Sequence, residues 1–394
     1  MKLAIVTLGT HGDVQPLVAL GKGLQEDGHQ VTIAAPKNFQ AFVRHHRLSF
    51  EPLRIDSREL LQSSIGRQAL GSADSRLSAA YRELRAPYLR LAAQDLWVIG
   101  HLVDAMIYHP LVLEELGGLV TRGVPYMIAS VVGIRVRQNP ECARDLGEQP
   151  ALVVCGYSET IVPREVDDPG NSHVTGYWVL AKDSTWQPPA SLERFLEAGE
   201  PPVYVGFGST TVPDPARTTR IVLDALTQTG QRGILASGWG GLQAIGPNGS
   251  TIFHVDDVPH DWLFPQVKAV VHHGGAGTVA AGFRAGKPTV VCPLCNDQFF
   301  WGARVRDLGV GPAPIPLVAL ESGTLTQAIQ AAVSDVGMSQ RAEQIGQHLR
   351  AEDGVGTAVR LIEQHLLPAV RQKRSQNLPR IVSAQRVSAL TREV

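Results

Sequence analysis

The sequence predicts an α/β protein made of two units, each built on a parallel sheet. Three observations lead to that class. A short apolar run, residues 3–8, passes through Gly9-Thr10-His11-Gly12-Asp13 into a helical apolar pattern over residues 16–24. The same order returns at residues 202–205, followed by Gly206-Phe207-Gly208-Ser209-Thr210 and a helix expected over residues 215–229. Finally, 394 residues exceed one ordinary core and suit two domains of roughly 150–200 residues.

Taken in order, Gly28 stops the first helix, and Val31-Thr32-Ile33-Ala34-Ala35 supplies a second strand. A strand, helix and strand in this sequence imply parallel pairing. Residues 60–93 are helix-like without a clean face, and residues 104–113 resemble another strand. The stretch 177–202, rich in Pro, Asp, Ser and Trp, reads as a connector. The expected division is therefore a first domain over 1–180, a linker over 181–200, a second domain over 201–370, and a tail or crossing helix over 371–394. That last segment carries Arg371, Lys373, Arg374, Arg380, Arg386 and Arg392 and is expected to be a solvated helix or frayed end.

Hydrophobic residues make up 44% and charged ones 19%, enough apolar material for two cores, which argues against extended disorder. A net charge of -1 offers no field to gather nucleic acid, so no nucleic-acid partner is expected, and a membrane contact is at most peripheral. The first residues lack a signal-peptide pattern, and no run reaches the roughly 20 apolar residues of a spanning helix. A cytoplasmic protein is the expectation. Of four cysteines, Cys142, Cys155, Cys292 and Cys295, the last two form a CxxC that closes an apolar run. A lone pair of this kind suits buried thiols better than zinc or redox chemistry.

The most informative segment delivers His272-His273-Gly274-Gly275-Ala276-Gly277-Thr278 from an apolar strand at 268–271 into a helix running through residue 283. Glycines let backbone N–H groups approach a phosphate, and the helix N-terminus adds a positive dipole end. A histidine at the lip can donate to the same phosphate, and Thr278 adds a hydroxyl. The diphosphate of a nucleotide fits such a turn. The run from Gly275 to Ala280 also satisfies GxGxxA, with Asp297 about 20 residues beyond, as in a dinucleotide fingerprint. Against that reading, the turn lies deep in the chain, and Asp297 is followed by Gln298, a carboxylate and amide pair suited to sugar hydroxyls.

These residues carry a family resemblance. VPHDWLFPQVKAVVHHGGAGT, AGKPTVVCPLCNDQFFWGARV and LGVGPAPIP resemble the donor-binding signature of sterol- and antibiotic-type glycosyltransferases, related to plant secondary-metabolite enzymes. TLGTHGDVQPLVALG, HVTGYW and PPVYVGFGS extend the likeness over most of the chain. The resemblance implies the GT-B fold, two facing Rossmann-like domains with parallel sheets and an interdomain cleft. It implies a UDP-sugar or dTDP-sugar donor held mainly by the second domain, no further cofactor, and a small lipophilic acceptor such as a sterol, polyketide, glycopeptide aglycone or phenolic held by the first. Carried over by position, His272, Gly274, Gly275, Ala276, Gly277 and Thr278 serve the diphosphate together with Gly12 and Ser209. Asp257 and Val258 border the base, and Asp297 with Gln298 hold the sugar. Plant relatives place a Glu near position 280 for the ribose; here it is Ala280, which leaves that contact unassigned.

Inverting hexose transfer needs a base for the acceptor hydroxyl and neutralisation of the departing diphosphate. Asp13 is the expected base, because relatives with GDVQP carry an acid there, and His11 is the other candidate. Asp13 also suits a helix cap. No Asp stands two positions from another, so the Asp-x-Asp metal clamp is absent from the sequence. Residues 131–157 are short for an acceptor-covering region, which suits an open cleft or a weakened enzyme. Tyr81, Tyr88, Leu89 and Trp97 are candidates for the acceptor wall, with core packing as their alternative role. A NAD-linked oxidoreductase and a catalytically weak nucleotide-sugar binding protein stay open as other classes.

Overall fold

A computed structural model describes residues 1–69, 74–116, 124–130, 152–164, 171–181, 185–210, 212, 214–239, 242–243, 248–295 and 297–377. Strands β1 (Lys2–Val6), β2 (Gln30–Pro36), β3 (Ser49–Leu53), β4 (Ala105–Tyr108), β5 (Tyr126–Ser130), β6 (Val153–Cys155) and β7 (Ser172–Val174) form one sheet. Its order is β3-β2-β1-β4-β5-β6-β7, and each described pair is parallel. Strands β8 (Val203–Gly206), β9 (Gly233–Ala236), β10 (Ile252–Val255), β11 (Ala269–His272) and β12 (Thr289–Val291) form a second parallel sheet in the order β10-β9-β8-β11-β12. Both are fed by near-continuous apolar runs, as a sheet covered on two faces requires.

Strand order reverses between β1 and β4 in the first sheet and between β8 and β11 in the second. Outside the carboxyl ends at such a reversal, the connections diverge to opposite faces and leave a crevice. Register places Val6 beside Tyr108 and Gly206 beside His272, so the loops at residues 7–13, 109–111, 207–210 and 273–278 all leave from these two points.

Local detail departs from expectation in four places. The first helix, His11–Glu26, starts at His11 inside the glycine turn, because Thr10 and Asp13 cap its first turn. The 104–113 stretch is only the short β4, since Pro110 opens a helix, Pro110–Leu116, where its missing N–H costs nothing. The described part of 60–93 falls largely in three helices, Ser57–Gln62, Ser64–Ala69 and Ser75–Leu102. The expected connector holds a helix, Ala190–Glu197, whose Leu192 and Phe195 are buried beside Tyr204 and Ile234 of the second sheet.

The last described helix, Gly354–Asn377, crosses back to the first sheet. Its Ala358, Val359, Ile362, Leu366 and Val370 are buried with Leu17, Leu20 and Leu24 of helix His11–Glu26. Each buried Val, Ile or Leu contributes about 1.5–3 kcal/mol, so this helix binds the two halves together through apolar area. His29 Nε2 and Glu363 Oε1 add a hydrogen bond at 2.9 Å. Arg380, Arg386 and Arg392 lie outside the described residues.

Candidate active site

One cleft of about 2050 Å³ runs between the two sheets and joins both switch points. Its wall includes His11, Gly12, Asp13, Ser209, Asp257, Val258, Gly275, Ala276, Gly277, Thr278, Asp297 and Gln298, which the sequence placed in one site across more than half the chain. His272 and Gly274 do not line it.

His272 sits behind the cleft wall for a simple reason. His272 is the last residue of β11, paired on one side with Gly206 and on the other with Val291, so its side chain stays in the packed layer and is wholly buried. Its Nδ1 accepts the Gly274 N–H at 2.9 Å, while Nε2 has no partner, and burial drives its pKa well down. Gly274 supports this contact at φ +92°, where a Cβ would also press on Val291 and the Gln298 carbonyl. His273, the first residue free of the ladder, is the histidine that reaches the cleft. Its ring packs between Gly208 and Gly275, where an added Cβ on either would crowd it. Burial, with His260 nearby, brings its pKa down to about 4, so it is a neutral hydrogen-bonding group at pH 7.

Gly275 caps helix Ala276–Arg284, whose first turn, residues 276–278, is half-exposed to the cleft. Unpaired N–H groups and the dipole end of that helix, equivalent to roughly half a positive charge, therefore face the opening. The loop after β8 adds Ser209 and Thr210. Below it, His260 stacks on Phe264 at 4.3 Å and meets the Tyr204 hydroxyl at 3.3 Å, while Asp257 stands close enough to influence Tyr204, His260 and His11.

Asp297 precedes helix Gln298–Asp307 and accepts the Trp301 indole N–H at 2.9 Å, which leaves its other oxygen for the cleft. Burial raises its pKa. Gln298 is less versatile than its chemistry suggests. Its Oε1 accepts the N–H groups of Leu294 at 2.7 Å and Cys295 at 3.2 Å, so only the Nε2 end is directed toward Thr210 and the cleft. Cys292 and Cys295 are free thiols, pushed up to about 12 and 11 chiefly by burial. Cys142 lies outside the described residues. Among the described residues, no three His, Cys, Asp or Glu side chains gather as a metal site would need.

Across the cleft, Asp13 is held by its own loop. Its Oδ2 accepts from Thr10 N at 2.7 Å and from Thr10 Oγ1 at 3.2 Å, so the capping role is real and occupies one oxygen. Gly9, at φ +102°, comes so close to that carboxylate that a Cβ would overlap it. Burial raises Asp13 to about 7; the Thr10 amide opposes this, and the Asp297 charge facing it over the cleft adds to it. His11 packs on Phe42 at 4.8 Å and is shifted down by burial, with Asp257 opposing. Its ring is therefore neutral and half-enclosed.

The first-half lining carries an apolar group, Phe42, Ile55, Leu60, Leu61, Tyr81 and Leu111, interspersed with His45, His46, Ser57, Arg58 and Arg85. Phe299 lines the cleft from the second half with 45% of its surface exposed. Of the aromatic candidates, Tyr81 lines the cleft, whereas Leu89 packs against the first core, and Tyr88 and Trp97 are exposed away from the cleft. Trp239 closes one end: its carbonyl accepts Gln62 Nε2 at 3.1 Å and its ring lies under Arg58 at 5.7 Å. Most of the short 131–157 stretch lies outside the described residues. Sequence reasoning passed over His109, His273, His260 and Trp239. For His109 and His273 the available signal was position, since each is the first residue after a strand at a switch point.

Comparison with known proteins accords with this layout. Residues 3–109 match the glycosyltransferase family 28 N-terminal domain, and residues 220–359 match the erythromycin biosynthesis protein CIII-like C-terminal domain. A sterol 3-beta-glucosyltransferase of Arabidopsis thaliana is 36% identical over 93% of this chain and 68% of its own length. One from Emericella nidulans is 33% identical over 93% of this chain, which spans 30% of that longer protein. The calicheamicin glycosyltransferase CalG4 superposes with a TM-score of 0.67 at 17% identity, covering 93% of this chain and 98% of that one. A glycosyltransferase of Streptomyces sp. SF2575, solved with thymidine diphosphate, gives 0.65 at 19% identity, with coverage of 92% and 99%. These structures establish the GT-B fold, and the glycosyltransferase relatives set the oxidoreductase reading aside. The chain belongs to the glycosyltransferase family that includes the sterol 3-beta-glucosyltransferases.

Proposed function

We propose that the protein transfers a hexose, glucose in the first instance, from UDP-glucose or a dTDP-sugar to the hydroxyl of a lipophilic, sterol-like acceptor, with inversion and without a metal or bound cofactor. One observation carries the reading: Asp13 and the helix turn at Gly275–Thr278, from opposite halves, line one cleft whose first half also supplies an apolar group around Phe42, Leu60 and Tyr81. In this scheme Asp13 takes the acceptor proton as its oxygen attacks the anomeric carbon, and the bond from that carbon to the diphosphate breaks. His273, the N–H groups of residues 276–278 and the hydroxyls of Thr278 and Ser209 meet the charge leaving on the diphosphate. Asp297 and the amide of Gln298 hold the sugar hydroxyls, and Asp257 with Val258 borders the nucleoside. The relatives named as sterol glucosyltransferases support the acceptor class.

The test combines UDP-glucose or dTDP-glucose with a sterol and follows the product by mass spectrometry and proton NMR. A β-linked glucoside from the α-linked donor, formed equally with EDTA present, is expected. An α-linked product, or activity lost to EDTA and restored by manganese, would overturn the proposal.

A further inference from the structure

Helix Pro110–Leu116 and strand β4 hold His109 rigidly at the switch point. Its N–H donates to the Val6 carbonyl at 2.9 Å and its carbonyl accepts from Val112 at 2.9 Å. The side chain has no exposed surface, yet it borders the cleft. Its Nδ1 accepts the Leu111 N–H at 3.3 Å, so the proton of the neutral ring sits on Nε2. That Nε2 has no hydrogen-bond partner, and Asp13 Oδ1 lies 3.9 Å away. Asp13 Oδ2 is committed to Thr10, so Oδ1 is the oxygen left for chemistry.

We propose that His109 is a positioning residue for Asp13, donating its Nε2–H to Oδ1 once donor and acceptor fill the cleft. The inference rests on Asp13 being the base. A gap about 1 Å longer than an ordinary N–H···O bond is what a site without its substrates shows before the catalytic contacts tighten. The neutral tautomer persists through the working range, because burial brings the His109 pKa down to about 3. Such a donor stabilises the ionised carboxylate and aims the second lone pair of Oδ1 at the acceptor hydroxyl. It opposes the burial and the facing Asp297 that favour protonated Asp13, in the same direction as the Thr10 donors; His11 is the remaining titratable neighbour on the same loop.

Three variants decide the matter: His109→Leu removes the donor at similar volume, His109→Gln keeps an N–H near the Nε2 position, and Asp13→Asn tests the underlying reading. Each is assayed for kcat and KM against pH with UDP-glucose and a sterol, and UDP affinity by calorimetry reports that the fold is intact. For His109→Leu the expectation is a kcat at least tenfold lower at pH 7, an unchanged donor KM, and an acid limb moved up by about one pH unit, with partial return of both in His109→Gln. An unmoved acid limb in His109→Leu, or a Gln variant as impaired as the Leu one, overturns the positioning role while leaving Asp13 as the base. Full activity in Asp13→Asn removes the base assignment itself, and the inference with it.

Discussion

At the first switch point the chain presents side chains that carry or accept protons, Asp13, His11 and His109, whereas at the second it presents backbone N–H groups, hydroxyls and the neutral His273. Both crevices come from the same parallel order reversing beside the strand that opens each half. The topology supplies a place, and the loop residues decide what is done there. A diphosphate is a fixed double charge that a helix end can meet without moving a proton. Deprotonating a hydroxyl requires a group whose proton affinity is adjusted, and burial adjusts Asp13 to about 7.

Asp13→Asn separates the two regions most sharply. An Asn oxygen can still accept from Thr10, so the helix cap and the fold persist, but the amide cannot take a proton. Turnover is expected to fall by about 10²–10⁴-fold while UDP affinity by calorimetry stays within about twofold. Turnover that survives, or UDP binding that collapses with it, would show that the two switch points do not divide the work in this way.

The second region is sharpened by comparing its neighbouring histidines. On the proposed reading His273→Ala removes a hydrogen bond to a charged phosphate, and UDP binding is expected to weaken about tenfold with little change in melting temperature. His272→Ala leaves the Gly274 N–H without its acceptor and a hole behind the sheet. It is expected to lower the melting temperature by several degrees and to leave UDP affinity nearly unchanged. The reverse pattern would return the phosphate role to His272.

That pair also marks how far the sequence could be read. The glycine turn after an apolar strand declared a helix N-terminus, which lines the cleft, and the paired openings near residues 3 and 203 declared two parallel units. Where β11 ends was not legible, because apolar runs give no sign of the last paired residue, and one residue's difference decided which histidine enters the cleft. His109 was invisible for another reason. It meets Asp13 across a long separation only because β4 lies against β1, and a lone histidine before a proline carries no local signal of that neighbour. Similarly, the basic end of the chain drew attention to its solvent face, while the spacing of Ile362, Leu366 and Val370, which seats the crossing helix, needed its partner helix to acquire meaning.

The last expectation concerns stability rather than turnover, and it follows from how the buried groups of both regions titrate. His11, His109, His260, His272 and His273 all have depressed pKa values from burial, so the unfolded chain binds protons below about pH 6.5 that the folded chain refuses. Each such imidazole removes about 1.4 kcal/mol of stability per pH unit as pH falls below that point, until its folded pKa is reached. Asp13 and Asp297 are raised, so the folded chain binds their protons first, and they act in the opposite sense as pH falls toward 4. Five groups outweigh two, and the melting temperature should therefore decline between pH 6.5 and 5. Asp13→Asn removes one of the two opposing carboxylates, so its decline should be steeper than that of the parent protein. A parallel decline in both would mean that Asp13 titrates as an ordinary carboxylate and that the first switch point does not tune it.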